Sequence, residues 1–316
     1  MFKKIIYIVY LLFFISCNKT NYAKGTHNQI TIISSKEDRL YAYNDILNFF
    51  SKKINTPYDE NIYEIKWVDS YNNKEFLNYK NLFFLSLDVP VDTTVDLINS
   101  KFKNKYENNI FLINDLYARN QTALIFNVED SSDMKFKLDY YKDWILDSYN
   151  KNIDKNIYRN LFYSGYNLEI EKIIDYKFNI KALIQLDYKI IKNDSINNQF
   201  LWIGRGYPYR WVTFIKSSIN SNEDLWLKYK ELVNKYMKNV HIVDYYKNIT
   251  YNDSVVVRFQ GLYEEDFSDT GGPFFTKLVR LNNDDILFIS GYVNNPGKNK
   301  YLLLKELEVL INNFKL

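Results

Sequence analysis

The stretch EEDFSDTGGPFF, residues 264–275, gathers the residue types that site chemistry most often uses. Glu264, Glu265, Asp266 and Asp269 run into Gly271, Gly272 and Pro273, and two phenylalanines follow. Calcium takes about six to eight oxygen ligands, usually from alternating positions. Three consecutive acids in an extended chain point alternately to opposite sides, so they converge only if the loop curls. Asp266 and Asp269, three apart, form a second and weaker pair. A phosphate would meet four carboxylates and no lysine in the loop. No metal is assigned on this spacing. The simplest reading is a connection between strands, in which Gly271 and Gly272 take backbone angles that other residues resist and Pro273 opens the next strand. A loop that contacts a ligand or partner through Asp266 and Asp269 stays open beside it.

Arginine makes the second concentration. Seven of the forty-one basic residues are Arg, and Arg205, Arg210, Arg258 and Arg280 lie in the second half of the chain. A guanidinium grips carboxylate or phosphate through two parallel bonds, which lysine cannot do. WIGRGYPYRW surrounds Arg205 and Arg210 with Trp202, Tyr207, Tyr209 and Trp211. Such surfaces contact sugars or partner proteins. The same residues also suit a hairpin whose arginines stack on rings or pair with the acidic loop. In that case Arg205 or Arg210 meets Asp266 or Asp269 and holds the loop shut.

Other chemistry finds little support. The two histidines are His27 and His241, no Gly-x-Ser-x-Gly elbow is present, and no His-x-x-x-His or Cys-x-x-Cys pair offers a zinc site. A glycosidase needs only two carboxylates at a fixed separation. The thirty-eight acidic residues nominate no particular pair. No catalytic residue and no cofactor are assigned.

The N-terminus says where such a protein would live. Lys3 and Lys4 precede an unbroken apolar run from Ile5 to Ile15, and Ser16-Cys17 follows. As a helix that run rises about 17 Å, short of the about 30 Å of a hydrocarbon core. A basic flank, a short apolar core and a small residue before the cut describe a secretory signal. FISC resembles the lipobox of bacterial lipoproteins, with Phe14 where leucine is commonest. An ordinary signal peptide with a chance cysteine is the alternative. Cys17 is the sole cysteine of the chain, so no intramolecular disulfide forms and an attachment role explains it best. Stable anchoring takes at least two acyl chains, which a triacylated cysteine supplies. Residues 1–16 thus read as signal peptide and 17–28 as a flexible tether.

Removing Lys3 and Lys4 takes the formal net charge from +3 to +1, without the concentrated basic surface that nucleic acid requires. A chain that is 47% hydrophobic and 18% aromatic can fill two modest cores.

Stepping along the chain, apolar periodicity predicts strands at 29–35, 61–68, 81–87, 109–115 and 122–128, the last two an antiparallel pair around LYARNQ. Helices are expected over 43–54, near 73–78, and from Ser131 with Phe136, Tyr140, Trp144, Ile145 and Tyr149 as its buried stripe. A further helix near 156–164 would extend it. SSKEDRL, after the first strand, contains no glycine, so a dinucleotide-binding loop is a poor reading. The second half predicts a helix near 168–175, strands at 200–206 and 210–217, and a helix after Ser221-x-x-Asp224. Strands at 254–263, 273–281 and 286–293 follow, the last two joined by a tight turn at 282–285. Asn295-Pro296 opens a final helix. The fold class expected is α/β (α+β): an N-terminal mixed sheet with helices over 29–166 and a C-terminal antiparallel sheet with packed helices over 167–316.

With FISC, LYARNQ, FLWIGRG, GLYEEDFSDTGGPFF and SGYVNNPGKNK in place, the chain resembles a Bacteroidota family of envelope lipoproteins catalogued as domain of unknown function 4837. The order of elements in the C-terminal half is similar to the Mog1/PsbP-type sandwich. The family resemblance implies a two-domain exported lipoprotein and supplies no reaction, substrate or catalytic residue. The expectation is therefore a non-enzymatic binding or assembly module of a Gram-negative envelope. It is held in a membrane, outer rather than inner, by acylated Cys17, and it faces the periplasm or the surface. Its partner would be an envelope protein or glycan. The alternative is an envelope polymer hydrolase using carboxylates of the C-terminal domain.

Overall fold

The computed structural model describes residues 21–87, 93–102, 109–194, 196–219, 223–252, 255–266, 270–281 and 285–315. The signal segment, Cys17, Ser221, Asp269 and most of the 282–285 turn lie outside the described residues. The chain divides into two compact units, one of residues 1–46 and 65–152, the other of 47–64 and 153–316.

The first unit is built on a five-stranded sheet of order β4-β1-β5-β7-β6. These strands are β1 (Gln29–Ser34), β4 (Glu64–Asp69), β5 (Asn81–Leu87), β6 (Ile110–Asn114) and β7 (Thr122–Val128). β1 and β5 pair in parallel, as do β5 and β7, while β6 returns antiparallel to β7. β5 and β7 are buried at every position, as central strands covered on both faces must be. Ile33, Leu82, Phe84 and Ile125 pack with Val95 and Ile98 of α2 (Thr93–Phe102), a helix that the sequence reading did not place. The other helices are α1 (Lys36–Phe49), α3 (Ser131–Tyr140) and α4 (Lys142–Leu161).

The stripe expected after Ser131 holds in its second part only. Ile145 and Tyr149 are buried as expected, whereas Phe136, Tyr140 and Trp144 are exposed and Met134 and Leu138 are buried in their place. The helix capped by Asp130 stops at Tyr140, and Tyr141 leaves helical geometry before α4 starts. The Phe136 and Tyr140 rings stack on each other on the solvent side, with centroids 6.1 Å apart.

The expected tether is shorter than 17–28. Ala23 N–H donates to the Arg119 carbonyl at 2.9 Å, Arg119 N–H to the Asn21 carbonyl at 3.0 Å, and Lys24 N–H to the Asn78 carbonyl at 2.7 Å. Asn81 Nδ2 holds the His27 carbonyl at 2.9 Å, and Asn28 is buried. Residues from Asn21 onward belong to the body because their main chain finds partners there.

The second unit carries a seven-stranded antiparallel sheet of order β11-β12-β13-β14-β10-β9-β8. Its strands are β8 (Lys189–Asn193), β9 (Phe200–Arg205), β10 (Tyr209–Ser218), β11 (Val240–Asn252), β12 (Val255–Glu265), β13 (Gly271–Arg280) and β14 (Asp285–Asn294). The exposed edge strand β8 carries Lys189 and Lys192, charges that discourage another chain from pairing there. β11 and β8 were not foreseen.

On one face lies α6 (Leu225–Tyr236), whose Trp226, Tyr229 and Val233 join Phe259, Phe274 and Phe288 in an aromatic core. Asp224 caps this helix, accepting N–H groups of Trp226 and Leu227 at 2.8 and 3.2 Å. On the other face α7 (Tyr301–Asn312) brings Leu307 against Gly291, and Phe178 of α5 (Leu168–Phe178) stacks on Phe214. Both units are thus mixed α/β layers, one on a largely parallel sheet and one on an antiparallel sheet.

Candidate functional site

The acidic stretch sits where β12 ends and β13 begins. Tyr263 pairs with Gly272 and Glu264 with Gly271 across the ladder, and Glu265 N–H closes on the Thr270 carbonyl at 3.0 Å. Three neighbouring carboxylates meet three different fates. Glu264 is exposed, Glu265 accepts Asn294 Nδ2 at 2.8 Å, and Asp266 lies 2.8 Å from His241 Nε2. They diverge as strand alternation requires. Among the described residues no group of three His, Cys, Asp or Glu side chains could hold a metal.

Gly271, Gly272 and Pro273 are the first residues of β13 rather than a turn. Neither glycine has a positive φ, which corrects the expectation of special backbone angles. Their requirement is space: a Cβ on Gly271 would collide with the Tyr263 carbonyl, and one on Gly272 with the Val293 carbonyl.

Among the described residues Arg205 and Arg210 take partners other than Asp266. Arg205 pairs with Asp187 at 2.5 Å and donates to Gln185 Oε1 at 3.0 Å, its guanidinium lying over Tyr188. Arg210 is buried and pairs with Glu306 of α7. Strand phase explains the separation. Arg210 shares the α7 face with Val212 and Phe214, whereas Trp211 points to the α6 face.

The aromatic surface expected around them is also split. Trp202 and Trp211 meet edge to face at 5.4 Å and pack partly buried against the aromatic core, where Trp211 also approaches Tyr263 at 5.8 Å. Only Tyr207 and Tyr209 are exposed, with Lys298 Nζ 5.5 Å from the Tyr207 ring centre.

The structure instead places a cavity of about 470 Å³ against the acidic stretch. Leu262, Glu264, Glu265 and Gly271 form one wall, and Tyr58 and Lys300 contribute to the others. Two short strands, β2 (Lys53–Asn55) and β3 (Asp59–Asn61), bring Tyr58 to the rim at their hairpin. Behind it, Glu60 accepts the N–H groups of Lys300 and Tyr301, so a carboxylate caps α7. The helix therefore begins at Tyr301 and not at Asn295-Pro296, which form a turn ahead of it. Lys300 is buried, and desolvation lowers its ammonium pKa against the opposing pull of Glu60. Its Nζ donates to the Lys298 carbonyl at 2.9 Å. The volume suits a small ligand or one protruding side chain, and its lining residues include two glutamates, two tyrosines and a lysine. Sequence reasoning singled out the carboxylates but missed Tyr58, Glu60 and Lys300, because no motif links them to residues so far along the chain.

Buried hydroxyls elsewhere in this unit serve the core. Tyr229 Oη bonds Ser290 Oγ at 2.8 Å and Tyr292 Oη at 2.5 Å, and Ser290 meets Thr276 at 2.9 Å. All four residues are inaccessible, and burial pushes the Tyr229 phenol up to about 12. Ser290 has no base beside it in this cluster, so the arrangement satisfies polar groups rather than activating a nucleophile.

No curated protein matches this chain. Among solved structures, the Ran-binding protein Mog1p of Saccharomyces cerevisiae aligns at 10% identity, covering 43% of this chain and 89% of that one, with a TM-score of 0.30. Cyanobacterial PsbP (CyanoP) of Synechocystis sp. PCC 6803 aligns at 11% identity, over 43% of this chain and 86% of that one, with the same TM-score of 0.30. Residues 230–313, running from within α6 through β11–β14 and α7 and containing the acidic wall of the cavity, match the family model described as Domain of unknown function (DUF4837).

Proposed function

We propose that this chain is a non-enzymatic lipoprotein of a Gram-negative cell envelope, anchored by acylated Cys17 and serving as a binding or assembly module. The membrane is the outer rather than the inner, and the body faces the periplasm or the surface. Support for the anchor is the FISC signature after a short apolar run. The observation that carries the binding role is the cavity itself. From the stretch richest in site-forming residues, Glu264, Glu265, Thr270 and Gly271 contribute to the wall of a space large enough for a ligand. Hydrolysis by paired carboxylates is the poorer reading. Glu264 and Glu265 are adjacent in a strand and point to opposite faces, so they do not confront each other across a bond. The partner expected is an envelope protein or glycan.

A photo-crosslinking amino acid at Tyr58, on the cavity rim, tests the reading in native envelopes. Adducts should form there and not with the same probe at Tyr176, an equally exposed position on α5. Equal yields at both positions would remove the cavity from the account. Cys17→Ser should release the protein from membranes; unchanged partitioning into detergent would remove the anchor.

A further inference from the structure

We infer that the base of the N-terminal unit is held directly against the bilayer, with Tyr22, Lys24 and Arg119 at the level of the lipid headgroups. The inference rests on the acylated-Cys17 reading and adds a distance to it. Because the main chain from Asn21 to Lys24 is tied to Arg119 and Asn78, only Asn18, Lys19 and Thr20 separate the anchor from the body. Four Cα steps, fully extended, reach about 14 Å. A free tether through Asn28 would reach nearly three times as far.

The acylated cysteine itself sits at the interface, and the headgroup layer on one side of a bilayer is about 5–8 Å deep. The leash therefore brings whatever surrounds Asn21 to the headgroups or at most about 6–9 Å beyond them.

What surrounds it suits that place. Tyr22 is exposed, and the Arg119 guanidinium lies 6.0 Å from its ring centre. Lys24 and Arg119 are both exposed. Tyrosine and arginine, each with an apolar body and a polar end, are residues that settle at a membrane–water boundary. Arginine also grips phosphate with two parallel bonds. The acid of the same loop, Asp115, turns Oδ1 toward the N–H groups of Asn120 and Gln121, which tempers its repulsion of anionic lipid. The occupant of this surface is thus a phospholipid bilayer containing anionic lipid.

The sole native thiol is the acylated one, so Lys24→Cys in the full-length lipidated protein offers a single site for a nitroxide label. The protein is reconstituted in phosphatidylethanolamine–phosphatidylglycerol vesicles, and collisional accessibility to a water-borne relaxation agent is read by power saturation. The label should be several-fold less accessible than in a version carrying a Gly-Ser spacer of about twelve residues after Thr20, which lengthens the leash without touching the fold. Asn21→Cys should behave in the same way. Equal accessibility with and without the spacer, in protein that floats with the vesicles, overturns the inference while leaving the anchor standing. Failure to float overturns both.

Discussion

Glu60 grips the start of the last helix through Lys300: the Lys300 N–H lies 2.9 and 2.8 Å from the two oxygens of the Glu60 carboxylate, and Tyr301 N–H lies 2.8 Å from the second. Lys300 offers no side-chain cap of its own. A carboxylate at this position both satisfies orphan donors and meets the positive end of the helix dipole. Glu60→Ala should therefore lower the unfolding free energy by about 1–2 kcal/mol, and Glu60→Gln by less, since the amide oxygen still accepts. Urea unfolding followed by circular dichroism reads both. An alanine variant as stable as the parent would mean that water replaces the cap at no cost.

That cap also shows where the sequence stopped being legible. Strands β1, β5, β7, β10, β13 and β14 could be read from their apolar runs, because a buried strand must be apolar wherever it runs. The antiparallel β6–β7 pair was legible for the same reason. The start of α7 was not, since its cap comes from a residue 240 positions earlier, and Asn295-Pro296 imitates a local one. The buried face of α3 was misread because Phe136 and Tyr140 are aromatic yet stack on each other in solvent, while Met134 and Leu138 are buried. At the candidate site the acidic stretch was legible by composition. Its partners were not: strand alternation sends Arg210 to Glu306 and leaves His241 to Asp266.

His27 is a built-in acid sensitivity of the N-terminal unit. Burial, and secondarily the charge of Lys80, lower its pKa from 6.5 to about 4. The folded protein holds the imidazole neutral while the unfolded chain protonates it near its ordinary value. Between those two values the unfolded state binds more protons, so stability falls as pH falls. The contribution should be complete above about pH 6.5 and lost progressively as pH drops toward 4. Melting temperature against pH should show this descent, and His27→Gln should flatten it. Identical slopes for parent and variant would assign the acid sensitivity to other groups.

Gly272 and Gly297 separate two reasons for being glycine. Gly297 has a φ of +69° with open space where a Cβ would stand, so its constraint is the left-handed backbone. Asparagine, which tolerates that region, should be better there than alanine by a measurable fraction of about 1 kcal/mol. Gly272 has no positive φ, and its Cβ would strike the Val293 carbonyl across the β13–β14 ladder. Asparagine should then be no better than alanine, and each should destabilise by about 1–3 kcal/mol because the strand must shift to admit any side chain. Thermal unfolding of the four variants decides the matter. If Gly272→Asn proved clearly more stable than Gly272→Ala, backbone conformation and not crowding would be the constraint at the mouth of the acidic loop.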